Sequence, residues 1–213
     1  MYVWRTYQFS DFLLFSPETY DRLFELHNVA LWPWQVAAVM AGVAMLVVTG
    51  QPLALLFAGA AWLLTAWLWF YQSYATINWA AEYVAYGFAL QGLLLWVYAF
   101  DRELQPADSR SRAVGFTLVV CALALQPLLP WMLGRPWQQG EVFALMPGPT
   151  VVATLGLLLA LRAPWLLLIL PLVWCVLDGA ALWTMRAPAF WLLPVAGLLT
   201  LVLRAIPVRQ RPD

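Results

Sequence analysis

Residues 165–185 read WLLLILPLVWCVLDGAALWTM, an apolar run that carries one charge, Asp178. At about 1.5 Å of helical rise per residue, a run of this length covers the ~30 Å hydrocarbon layer of a bilayer. Working outward, apolar stretches of comparable character fall at 30–49, 53–72, 81–100, 113–132, 149–163 and 188–205. The expected fold is therefore all-α, a polytopic transmembrane helical bundle of seven spans. The fifth stretch is short, bounded by Pro147, Pro149 and Arg162-Ala163-Pro164. It reads as a tilted span or as part of a re-entrant excursion, and six spans is the alternative.

Composition agrees. The chain is 64% hydrophobic and 10% charged, where a soluble domain carries about 45–50% apolar and about 25% charged residues. Its 11 basic and 11 acidic residues cancel, so no net field argues for nucleic acid. Every basic residue is arginine, and without lysine there is neither a Schiff base nor a P-loop. One histidine, His27, excludes bis-histidine haem within the chain. Cys121 and Cys175 stand far apart inside apolar runs and form no CxxC pair. No HExxH or GxGxxG is present, so neither an enzyme, nor a metal centre, nor a cofactor is expected.

The chain divides into an interfacial segment (1–28), the bundle (29–205) and a tail (206–213). No signal-peptide h-region is visible in the first 28 residues. Instead, Ser16 can cap a helix, Pro17 suits its first position and Glu18 favours its positive end. Tyr20, Leu23, Phe24 and His27 share one face, while Asp21, Arg22 and Glu25 take the other. That pattern predicts a short amphipathic helix at the membrane surface or docked on the bundle. With seven spans, Arg102, Arg110, Arg112, Arg162, Arg204, Arg209 and Arg211 share one side. Arg5, Arg22, Arg135 and Arg186 take the other, which predicts a cytoplasmic C-terminus and an outside N-terminus.

Candidate site residues gather toward the outside of that topology. A carboxylate within a spanning helix is expensive and marks a functional path by default, so Asp178 leads. Its plain alternative is a protonated or paired carboxyl that bonds helix to helix. Glu82 and Asn78 stand at a helix start, where both suit capping as well as ligand binding. Arg135 and Glu141 lie in a polar loop and could pair to close it. Gln35, Gln91 and Gln126 suit interhelical hydrogen bonds. Ten tryptophans fall at or beyond outer span ends, so Trp32, Trp34, Trp79 and Trp137 are expected to line a vestibule, or else form an interfacial belt.

The strings Ser10–Pro17, Leu31-Trp32-Pro33, Tyr74–Trp79, Gly134–Trp137 and Glu141-Val142-Phe143 resemble a family of bacterial multi-spanning membrane proteins of unknown function, some loosely labelled permeases. The resemblance implies a bacterial inner-membrane protein and no particular activity. The residues themselves predict a small-solute transporter or channel-like permease with an outer, Trp-rich acidic vestibule, taking a small solute or cation. The alternative is a non-catalytic subunit or assembly factor of a larger membrane complex. Expected partners are the lipid bilayer and either a second copy or a membrane-complex partner.

Overall fold

The computed structural model describes residues 16–48, 52–100 and 107–206. These form eight helices and no strand. Residues 1–15 of the expected interfacial segment and 207–213 of the expected tail lie outside the described residues. α1 (Pro17–Ala30) starts as its sequence predicts: Ser16 Oγ accepts from Thr19 N, Pro17 is the first helical residue and Glu18 lies in the first turn. Its apolar face is docked on the bundle, with Leu23, Phe24 and His27 buried. At Leu31–Pro33 the chain turns by 90° into α2 (Trp34–Val47).

α3 (Pro52–Thr76) is regular to Leu64 and then widens into π-helix over Thr65–Ser73. α4 (Ala81–Ala99) packs antiparallel against it. α5 (Ser109–Met132) begins on an Asp108 cap, whose Oδ1 accepts from Arg110 N and Ser111 N. It also widens, over Cys121–Leu125. A cause is local: Pro127 has no N–H to give Leu123 O, and its ring would clash with that carbonyl in a regular helix. After a loop come α6 (Pro147–Ala160), α7 (Trp165–Thr184) and α8 (Leu192–Ala205).

α6 is the axle of the fold. All of its 14 residues are buried, and it touches α3, α5, α7 and α8. Buried hydroxyls pin it in place: Trp62 Nε1 donates to Thr154 Oγ1 at 2.7 Å, and the Thr65 and Thr150 hydroxyls meet at 3.2 Å. Arg162, at φ 47°, ends it by giving its N–H to Leu159 O, and Ala163 N–H reaches back to Leu158 O. Six-to-one closure of this kind satisfies carbonyls that the helix end would leave bare.

The span count is corrected. Among the described residues three helices, α3, α5 and α7, are long and apolar enough to cross a membrane, or four if the bent pair α1–α2 makes one span. Seven were expected. The first, fifth and seventh stretches make helices of only 14 residues, about 21 Å long against ~30 Å of hydrocarbon. The third makes α4, where Glu82, Gln91 and three tyrosines dilute the apolar character. The fifth stretch is no lipid-facing span, because protein encloses α6 on every side.

Candidate functional site

Glu141 and Asp178 lie near enough to each other at one end of this bundle for their charges to interact. Asp178 lies about 9 Å along α7 from its last residue, Thr184. It is 9% exposed, and its carboxyl makes no side-chain hydrogen bond among the described residues. Glu141 sits in the loop before α6, and its Oε2 accepts from Gly148 N at 3.1 Å. Met146, the residue at the helix's own cap position, offers no side-chain acceptor, so Glu141 caps α6 from outside. The helix end favours its anion, yet burial dominates and pushes the Glu141 carboxyl up to about 7. The two carboxyls interact electrostatically, and Tyr20 lies within reach of both charges.

α1 holds the loop that carries Glu141. Asn28 Nδ2 donates to Gln138 O at 2.6 Å and to Gly140 O at 2.9 Å. Gln139 Nε2 donates to Glu25 Oε1 at 2.9 Å. His27 places Nε2 against Leu145 O at 3.1 Å and Nδ1 against Ser73 Oγ at 2.8 Å. A carbonyl can only accept, so Nε2 carries the proton and donates to it. Arg135 forms its ion pair with Asp21 of α1 rather than with Glu141.

A cavity of about 260 Å³ opens between α1, the end of α5, the 133–141 loop and the turn joining α7 to α8. Glu141, Arg135 and Arg186 line it, together with Gln126 and Gln139. Gln126 is 5% exposed, and its Oε1 has no hydrogen-bond partner among the described residues. The Gln139 Oε1 is likewise unpartnered. No group of three or more potential metal ligands occurs among the described residues.

The remaining expected site residues go elsewhere. Glu82 is exposed in the first turn of α4. Asn78 makes the turn before it, Oδ1 accepting from Ala80 N at 3.0 Å. The four tryptophans form no common ring. Trp32 and Trp137 line an apolar groove of about 820 Å³, Trp34 lines another, and Trp79 packs edge-on against Tyr83. All four are more than 60% exposed. Trp69 is fully buried beside His27 and Phe24. Gln91 bonds helix to helix, donating to Leu167 O of α7. Gln126 makes no such bond among the described residues and lines the cavity instead.

The family described as a family of unknown function, DUF6064, matches residues 17–211. The chain belongs to this family. No curated protein and no solved structure matches it. The DUF6064 match begins at the first residue of α1 and runs beyond α8, so it takes in every element that builds the cavity.

Proposed function

We propose that the chain is an integral membrane protein of the bacterial inner membrane that carries a small solute through the cavity beside Glu141. The juxtaposition of Glu141 with Asp178 carries this reading. Ionisable groups are costly in an apolar bundle and persist where a solute or ion must be met. The 260 Å³ cavity supplies an entrance, just below the ~300 Å³ at which drug-sized sites begin.

Flux into proteoliposomes tests this. Asp178→Asn keeps shape and removes charge, so it abolishes flux without unfolding the chain. Full transport by the folded variant removes Asp178 from the mechanism.

The outward-pointing tryptophans favour a second reading, that of a non-catalytic subunit of a larger membrane complex. Trp32, Trp34, Trp79 and Trp137 face away from the cavity and are exposed, as docking residues or a lipid belt would be. Gentle extraction from native membranes, native sizing and mass spectrometry separate the two readings. A stoichiometric foreign partner sinks the self-contained permease.

A further inference from the structure

We infer that the end of the bundle opposite Glu141 binds the phosphate of an anionic phospholipid, held by the side chains of Arg162 and Arg204 beside the Trp165 ring. The inference rests on the membrane reading above and is independent of transport.

That end has an excess of positive charge. α6 closes there at Arg162, α7 starts there at Trp165, and α8 returns to it at Arg204. α5 starts beside it, since Ala107 N donates to Ala160 O at 2.9 Å. Arg110, Arg112, Arg162 and Arg204 all belong to this end, with one carboxylate among the described residues, Asp108. Asp108 is spent on its own helix: Oδ1 accepts from Arg110 N and Ser111 N, and Oδ2 from the Ser111 hydroxyl. The adjoining residues 101–106 and 207–213 carry three arginines and three acids and leave the excess unchanged.

Within this cluster, Arg162 lies close enough to Arg204 for its charge to act on it. Arg204 is fixed. Its Nε and Nη2 donate to Ala163 O at 3.3 and 3.0 Å, Nη2 also reaches Arg162 O at 3.3 Å, and the guanidinium lies 5.3 Å from the Trp165 ring centroid. Among the described residues these bonds leave Nη1 without a partner, and the Arg162 side chain has neither hydrogen bond nor ion pair. None of these free nitrogens is a buried atom, and both residues are partly exposed. Neighbouring cations without an anion repel each other, and a bound anion reverses the sign of that interaction. Phosphate oxygens match the planar arginine fork two at a time.

The surroundings favour a lipid over a free anion. Trp165 is 47% exposed at the first residue of an apolar helix long enough to span, the level at which indole rings meet headgroups. Below it on the same helix face, at spacings of four, four and three residues, stand Ile169, Val173 and Val176, all exposed. A headgroup on the two arginines thus has an apolar stripe beneath it for its acyl chains.

Native mass spectrometry of the purified full chain in detergent, titrated with dioleoylphosphatidylglycerol, dioleoylphosphatidylcholine or inorganic phosphate, tests the inference. Each arginine beside an anionic lipid is worth about fivefold in binding. Expected is saturable binding of phosphatidylglycerol, at least about fivefold tighter than phosphatidylcholine and weakened by added salt. Arg162→Asn should lower that affinity about fivefold at an unchanged melting temperature, because asparagine tolerates the φ of 47° at this position. Arg162→Gly, which has no side chain to strain there, repeats the reading. Arg186→Asn makes the same change at φ 55° at the Glu141 end and leaves phosphatidylglycerol binding as it was. Equal binding of the two lipids, equal loss in Arg162→Asn and Arg186→Asn, or undiminished binding by both folded Arg162 variants overturns the inference. So does inorganic phosphate that displaces the lipid at equal concentration, which would make the site one for a soluble anion. Failure of the membrane reading looks different. A chain washed from membranes by alkaline carbonate sinks that reading and the inference with it, whereas a chain that stays and prefers no anionic lipid sinks the inference alone.

Discussion

Gly115 of α5 and Gly156 of α6 lie against each other so closely that a Cβ on either would stand 2.4 Å from the other's carbonyl oxygen. This crossing lets the buried axle helix sit in contact with α5 backbone to backbone, the arrangement that small residues permit between membrane helices. A second reciprocal pair, Gly59 of α3 and Gly92 of α4, repeats it at 2.7 and 2.8 Å.

Gly156→Ala therefore forces α5 and α6 apart and lowers stability by about 1–3 kcal/mol, the usual cost of overpacking. Gly87→Ala on α4 is the control, since a Cβ there meets nothing within 4 Å. Denaturation curves of the two variants should separate clearly. Equal stability would mean that the α5–α6 crossing is not tight.

Glu141 gives the fold a pH dependence of definite sign. Its carboxyl titrates near 7 in the folded chain against an ordinary value of 4.5. The folded state thus holds the proton more tightly, so this contribution is fully present below about pH 4.5 and is lost as pH rises through about 7. The difference is on the order of 3 kcal/mol. Glu141→Gln should be more stable than the parent at pH 8 and similar to it at pH 4.5. A melting temperature that falls equally in both chains between those pH values would show that Glu141 is not the group responsible.

His27 ties α1 to the π-helical part of α3 through Ser73 and to the loop after Glu141 through Leu145. His27→Ala takes the side-chain donor from Leu145 O and leaves a hole beside Trp69, while the Ser73 hydroxyl keeps its bond to Leu68 O. The expected loss is about 1–3 kcal/mol, felt first as faster proteolysis near α1 and the 133–146 loop. Cleavage at the parental rate would detach His27 from that role.

Arg204 clamps the other end of the axle. Its guanidinium donates to Ala163 O at 3.0 Å and to Arg162 O at 3.3 Å, and it lies 5.3 Å from the Trp165 ring centroid. Arg204→Ala should cost about 1–2 kcal/mol. Lysine should recover only part of this, because an ammonium cannot span both carbonyls with a planar fork. Full rescue by lysine in thermal unfolding would reduce the clamp to a point charge.

The residue order determined the local features of this protein. Ser16, Pro17 and Glu18 start α1, and the 3.6-residue spacing of Leu23, Phe24 and His27 gives it one buried face, because capping and periodicity act within a turn or two of helix. The apolar runs determined that the fold is helical, but not how many of the seven would form helices long enough to span. Tertiary structure alone decided how those helices are used. A 14-residue apolar run is equally content against lipid or against protein, so nothing in residues 147–160 announces that α6 is wholly enclosed. The same holds at the site. Asp178 could be singled out because its charge is costly wherever the helix goes, but its neighbour Glu141 is 37 positions away in the chain, and only the path of the loop under α1 brings them together. The tryptophans misled for a related reason: a ring at the end of a helix can face a cavity, a neighbour or the surroundings at the same depth, and helix rotation in the packed bundle makes that choice.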